Sequence, residues 1–182
     1  MNWDKAVSEK IYLAAKSSLF FSRLAVFGAR RLVWILGGLV AWFVISIPTP
    51  NPSPVVATLE GEVFGGWTRP LVVGISILFA WAVQLIVAYT IHRRRPFQQN
   101  HEKPLMELFF KTPSFPSGHT TISCALAASV FVFDPVWGTI FFMIAALVAL
   151  SRIAIGVHYF SDVIGGAAVG IGIVVIVSRL IA

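Results

Sequence analysis

Five apolar runs, each judged against the roughly 20 residues a helix needs to cross a bilayer, leave this chain few ways to fold. They cover residues 24–47, 70–91, 117–134 and 136–155, and a last stretch from 161 to the C-terminus. Arg30 and Arg31 interrupt the first run, where long stems can carry their charge to an interface. That run stops at PTPNPSP, residues 48–54, whose prolines rule out helix. Pro70 suits the first position of the second helix. Ahead of the first run, residues 5–22 mix charge with Ile11, Tyr12, Leu13, Leu19, Phe20 and Phe21, the pattern of a helix lying in the membrane interface. The expected fold is all-α: a polytopic membrane helix bundle of about five transmembrane helices plus an N-terminal interfacial helix, six helices in all. A single domain is expected over residues 1–182, with the interfacial helix in 1–23 and the transmembrane bundle in 24–182.

Composition excludes a soluble domain. The chain is 57% hydrophobic and 12% charged, against roughly 25% charged in soluble domains. Its N-terminus, MNWDKAVSEK, is too charged for a secretory signal peptide and offers no small-residue cleavage site. The single cysteine, Cys124, lies inside an apolar run, so a buried thiol is expected and an internal disulfide is impossible. The net charge of +6 borders membrane spans, which points to anionic lipid or a phosphorylated lipid substrate and away from nucleic acid. Small residues pair at four-residue spacing (Ala125 and Ser129, Ala145 and Ala149, Gly166 and Gly170), which lets helix backbones approach closely in lipid.

Three polar clusters interrupt this apolar chain: HRRRPF after the second run, PSGH before the third, and SRIAIGVHYFSD between the fourth and fifth. Strict alternation of the spans puts all three on one side of the membrane. In PSGH, Pro116 and Ser117 open a helix, with Ser117 at the N-cap. The free amides of Gly118 and His119 then point out of a helix end that favours an anion. His119 stands where a proton donor could reach an oxygen leaving that anion. In the third cluster Arg152 supplies a planar cation for phosphoryl oxygens. His158 and Asp162, four residues apart, come together on a helix or its first turn, where a carboxylate fixes one imidazole nitrogen and leaves the other to attack or to take a proton. In HRRRPF, Arg95 is stiffened by Pro96 and is the candidate phosphate ligand, whereas Arg93 and Arg94 can equally be topology determinants.

Together these residues resemble the type 2 phosphatidic acid phosphatase superfamily. Pro116, Ser117, Gly118 and His119 match its P-S-G-H element in full, and Ser151, Arg152, His158 and Asp162 match its third element without a gap. Arg95 and Pro96 match the end of the first element, but Ala88 stands where that element carries a lysine. The likeness covers residues 90–166 and is greatest to the small bacterial undecaprenyl pyrophosphate phosphatases of the bacitracin-resistance type, through Arg95-Pro96-Phe97. The resemblance implies a hydrolase that needs no metal or other cofactor. Arg95, Arg152, Ser117 and the Gly118 and His119 amides would hold the phosphoryl group. His158, oriented by Asp162, would form a phosphohistidine while His119 protonates the leaving oxygen. Arg93 or Arg94 would restore the missing cation, with Arg94 expected for its adjacency to Arg95. Residues 97–116, with Lys103, Lys111, Leu105, Met106, Leu108, Phe109 and Phe110, would cover the headgroup of a polyprenyl or glycerolipid phosphate in the bilayer.

Other readings share these residues. Phosphatidylglycerophosphate, phosphatidate and diacylglycerol pyrophosphate are alternative substrates. A metal-dependent hydrolase would use His119, His158 and Asp162 as ligands. A non-catalytic scaffold or transporter subunit would carry polar residues at mid-depth, where only Gln84 stands out. Orientation sets two arguments against each other. Lys5, Lys10, Lys16, Arg23, Arg30, Arg31, Lys103 and Lys111 fall on the site's side, and Arg69, Arg179, Glu60, Glu62 and Asp134 on the other, which by the positive-inside rule makes the site cytoplasmic. The resemblance implies an integral protein of the bacterial cytoplasmic membrane with an extracytoplasmic site, and that is the expectation adopted.

Overall fold

The computed structural model describes residues 3–46, 68–100, 103–107 and 112–181. The proline-rich stretch 48–54, Glu60, Glu62, Leu108, Phe109, Phe110 and Lys111 lie outside the described residues. Every regular element among the described residues is helical: α1 (Trp3–Lys16), α2 (Leu19–Phe27), a π-helical turn (Gly28–Leu32), α3 (Val33–Ser46), α4 (Thr68–Ile91), the short α5 (Pro96–Asn100), α6 (Gly118–Phe133), α7 (Pro135–Ala154) and α8 (Phe160–Ile181). The expected bundle is present, with α2–α3 as one continuous helix.

The first boundary moves. Residues 1–23 were expected to form the interfacial helix, yet α1 stops at Lys16 and the next helix starts at Leu19. Ser18 is the reason. It adopts an extended conformation, and its Oγ accepts from the Phe20 amide at 3.3 Å, which restarts the helix. The helix over Leu19–Ser46 has 28 residues. At 1.5 Å per residue that is about 42 Å, longer than a hydrocarbon core of roughly 30 Å, so one end stands beyond it.

Four described helical segments are long and apolar enough to span a membrane: Leu19–Ser46, Arg69–Gln99 (α4 with the start of α5 beyond the break at His92), Pro135–Ala154 and Phe160–Ile181. The fifth, α6, has only 16 residues and lies at the centre, packed by α3, α4, α7 and α8. Its neighbours supply Leu36, Val40 and Phe43 from α3 and Phe141 and Ala145 from α7 to one apolar core. The outer faces are also apolar. Trp34, Leu78, Trp81, Met143 and Leu180 are more than half exposed. Such a surface is satisfied by acyl chains and marks an integral membrane protein.

Close approach of α8 to α6 rests on two glycines. A Cβ at Gly166 would fall 2.7 Å from the Ser117 carbonyl oxygen, and one at Gly170 only 2.3 Å from that of Thr121. This contact joins the helix that begins with PSGH to the helix that carries Asp162.

Candidate active site

Four chain segments meet at one end of the bundle. Helix α4 ends at Ile91, and His92 turns the chain with φ +49°, a left-handed conformation that histidine tolerates better than bulky residues do. The next three residues are non-helical, and their side chains alternate in burial: Arg93 is half-buried, Arg94 exposed and Arg95 buried. Arg93 and Arg95 turn inward and Arg94 outward. The structure therefore does not bring Arg94 to the cluster: its side chain is exposed and makes no hydrogen bond or ion pair among the described residues.

Arg95 is buried and spans two loops. Its Nε donates to the Thr112 carbonyl (2.9 Å), Nη2 to Thr112 Oγ1 (2.9 Å), and Nη1 to the Val157 carbonyl (3.2 Å). The same Nη1 lies 3.3 Å from His158 Nε2. Arg152, near the end of α7, is also buried, and its Nη1 donates to the Ala29 carbonyl at 3.2 Å. Ala29 lies in the π-helical turn, whose departure from α-helical pairing makes that oxygen available. The Nε of Arg152 is buried and has no hydrogen-bond partner among the described residues. Neither Arg95 nor Arg152 forms an ion pair among the described residues, although buried charges normally come paired. These two cations share a need for an anion.

Ser117 occupies the N-cap of α6 with φ −69° and ψ 110°, but its side chain makes no capping bond. Its Oγ instead accepts from Thr120 Oγ1 at 3.0 Å, and its amide donates to the Asp162 carbonyl at 2.9 Å. The first-turn amides of Gly118 and His119, which have no acceptor within a helix, remain for a ligand. Gln84, the mid-depth polar residue of α4, is buried and donates from Nε2 to the Pro116 carbonyl at 3.1 Å. That bond holds the PSGH loop in place. His119 is half-buried and shares its electrostatic surroundings with Arg152, His158 and Arg95.

His158 lies in the loop between α7 and α8 and is buried. Its Nδ1 is 3.5 Å from Asp162 Oδ2, within ion-pair reach but long for a hydrogen bond. The carboxylate is engaged elsewhere. Asp162 Oδ2 accepts from the Tyr159 amide at 2.8 Å and from Ser114 Oγ in a short bond, and Oδ1 accepts from Arg93 Nη1 at 2.7 Å. Burial pushes the His158 imidazole down to about 4; Arg95 and Arg152 add to that shift while Asp162 opposes it. The ring is therefore neutral at physiological pH, as a nucleophile must be. A cavity of about 170 Å³ reaches His158 from outside, walled by Lys5, Glu9 and Tyr12 of α1 and by Phe97 and Pro104.

Sequence reasoning missed the parts supplied by α1 and by the loop before PSGH. Asp4, Ser8 and Ser114 are buried polar residues that touch the site, and Arg93 took the inward place expected of Arg94. The four-residue spacing of Asp4 and Ser8 was the only signal, and it is common in surface helices. The ligand set His119, His158 and Asp162 does not form a metal centre: among the described residues, no three His, Cys, Asp or Glu side chains converge to hold an ion.

Two buried arginines, Arg95 and Arg152, that share their electrostatic surroundings with His119 and His158 lie at one end of a bundle whose outer faces suit acyl chains, the marks of an integral membrane protein with a cation-rich site. The profile of the PAP2 superfamily matches residues 69–182, and the chain belongs to that superfamily. It is 31% identical over 103 residues to the undecaprenyl-diphosphatase of Sulfolobus acidocaldarius, which covers 54% of this chain and 50% of that protein. The chain thus spans about half the length of the curated relatives it matches. Two solved structures share the fold: Aquifex aeolicus LpxE (TM-score 0.64, 22% identity, covering 94% of this chain and 93% of that one) and a transmembrane PAP2-type phosphatidylglycerolphosphate phosphatase from Bacillus subtilis (TM-score 0.59, 23% identity, covering 99% and 87%).

Proposed function

We propose that this chain is a metal-independent lipid phosphatase that converts undecaprenyl pyrophosphate to undecaprenyl phosphate through a phosphohistidine. The observation that carries the reading is the pair of buried guanidiniums, Arg95 and Arg152, without carboxylate partners, beside a buried neutral histidine. A terminal phosphoryl group supplies the missing negative charge. Arg95, Arg152, Ser117 and the amides of Gly118 and His119 hold its oxygens as charge spreads over them. Nε2 of His158, the nitrogen turned away from Asp162, attacks phosphorus. The bond from phosphorus to the bridging oxygen breaks, and His119 gives that oxygen a proton. Water, giving a proton back to His119, then displaces His158 and releases inorganic phosphate. As the imidazole gains positive charge, the nearby Asp162 carboxylate stabilises it. Arg94 has no part in this mechanism. The likeness to an undecaprenyl-diphosphatase favours the polyprenyl substrate.

Phosphate release by the purified chain in detergent tests the proposal, compared across undecaprenyl pyrophosphate, phosphatidylglycerophosphate and phosphatidate. We expect the polyprenyl substrate to have a kcat/KM at least about tenfold above the others, with no loss in EDTA and abolition by His158→Ala. Release chiefly from a glycerolipid would overturn the substrate assignment. Loss of activity in EDTA would restore the metal-dependent reading, and no release from any of the three would overturn the phosphatase itself. We place the protein in the cytoplasmic membrane with its site on the extracytoplasmic face, in line with the family resemblance.

A further inference from the structure

Arg93 has the position of a phosphate ligand but the contacts of a brace. Its Nη1 donates to Asp162 Oδ1 (2.7 Å) and to Ser161 Oγ (2.6 Å), its Nη2 to Asp4 Oδ2 (2.6 Å), and its guanidinium lies 4.3 Å from the centroid of the Tyr159 ring. Both terminal nitrogens are committed to carboxylates, and the ring covers one side. Asp4 and Asp162 are themselves buried, with side chains 6% and 0% exposed. The result is a row of charges, minus, plus, minus, with buried carboxylates at both ends and a partly exposed guanidinium between them, that starts on α1 and ends against His158.

Asp4 is fixed independently of Arg93. Its Oδ1 accepts from the Ser161 amide (2.9 Å) and its Oδ2 from Ser161 Oγ (2.6 Å), while Ser8 Oγ accepts from the Phe160 amide (2.8 Å). Two residues of α1 thereby cap the N-terminus of α8, the helix that carries Asp162. Burial raises the pKa of Asp4, but the bonds from Ser161 and Arg93 outweigh it and hold the carboxyl below its usual range, so it is ionised at neutral pH.

The sum of the row matters for the nucleophile. Arg93 grips one oxygen of Asp162 and so fixes the carboxylate that faces His158 Nδ1. Arg93 alone would also cancel the charge of that carboxylate. With Asp4 behind it, the row keeps one net negative charge facing an imidazole that becomes positive as it bonds to phosphorus. We infer that Arg93 and Asp4 are positioning residues for His158: Arg93 holds Asp162 in place, and Asp4 restores the negative charge that Arg93 would otherwise neutralise. This rests on the reading of His158 as nucleophile. It gives the additional cation of this chain a role behind the nucleophile and not at the phosphate, and it makes α1 part of the catalytic apparatus.

The competing explanation is a latch that only fastens α1 to α8. Kinetics of the purified full chain on undecaprenyl pyrophosphate separate the two, with Asp4→Asn, Arg93→Met, Arg93→Lys and the double variant Asp4→Asn/Arg93→Met. Asp4→Asn keeps the acceptor for the Ser161 amide but removes the charge together with the acceptor that Ser161 Oγ and Arg93 Nη2 use. We expect it to lower kcat about tenfold and Arg93→Met on the order of a hundredfold, with KM within about twofold because the phosphate ligands are untouched. Arg93→Lys should recover part of the loss, and the double variant should lose less than the product of the single losses.

The pH profile is the readout that a latch would not move in the same way. Removing the positive charge of Arg93 favours protonated His158, so the acid limb of kcat/KM should move up by about half a unit or more. Removing the negative charge of Asp4 disfavours it, so that limb should stay or move down. Arg95, Arg152, His119 and Asp162 also face His158, and Lys5 and Glu9 line the outer wall of its pocket; all are the same in each variant. A loosened latch that admits water would raise the limb in both single variants. Limbs rising together, unmoved limbs, or near-wild-type kcat in both variants would overturn the inference. If wild type releases phosphate and His158→Ala does not, such a result counts against the row alone. If His158→Ala retains activity or wild type has none, the nucleophile reading fails and the inference with it.

Discussion

Loss of a guanidinium at this site has different consequences according to what balances its charge. Arg95 and Arg152 form no ion pair among the described residues, and in the proposed mechanism the transferring phosphoryl group balances their charge. Alanine at either position should cost about a hundredfold or more in kcat/KM for phosphate release. Arg94 is solvated, and Arg94→Ala should stay within about fivefold in the same assay, since an interfacial arginine contributes about 1 kcal/mol or less through anionic lipid. His158 adds a dependence on pH. Its folded-state value near 4 lies below the ordinary imidazole value of 6.5, so the unfolded chain binds the proton more readily. The stability it contributes is complete above pH 6.5 and is lost as pH falls toward 4. His158→Gln carries no titrating ring, so between pH 7.5 and 4.5 its melting temperature in detergent should fall by less than that of wild type. Parallel decline in the two proteins would mean that the imidazole is not held neutral.

At the scale of elements, the contact between α6 and α8 decides whether the site assembles. Gly170 lies where any side chain meets the Thr121 backbone, and backbone cannot step aside as a flexible side chain can. Gly170→Val should destabilise by about 1–3 kcal/mol or more through overpacking. It should also lower turnover, because a displaced α8 moves Asp162 away from Ser114 and the Ser117 amide. Gly172 is the control, with open space around its missing Cβ, and Gly172→Ala should leave both melting temperature and activity near wild type. Equal shifts for the two variants would show that α8 tolerates displacement from α6.

For the whole molecule, the proposed orientation turns the site away from the cytoplasm. Lys5 lines the pocket that reaches His158, while Val136, the second residue of α7, is 70% exposed at the opposite end, since Arg152 near the other end of that helix lies in the site. The two ends are about 30 Å apart along a 20-residue helix. The one native cysteine, Cys124, is buried, so single cysteines introduced at these positions can be labelled against a low background. A membrane-impermeant thiol reagent applied to intact cells should label Lys5→Cys and leave Val136→Cys unlabelled. The reverse pattern would make the site cytoplasmic, as the basic residues on that face suggest.

The sequence by itself determined the parts of this protein that depend on local chemistry. Apolar length specified the spans, prolines and charges marked where α4, α6, α7 and α8 begin or end, and span alternation brought three polar clusters to one end. Those clusters also carried the resemblance to the superfamily. Tertiary structure decided what depends on direction and distance. Adjacency to Arg95 favours Arg94, but the chain after His92 leaves Arg94 exposed and sends Arg93 inward to Asp162 and Asp4 instead. Asp4 reaches Ser161 and Arg93 across most of the chain, and Gln84 reaches the Pro116 carbonyl from the middle of another helix. A one-dimensional pattern records which residues are polar. Which of them becomes a buried partner is decided only when helices distant in sequence pack and remove both groups from water.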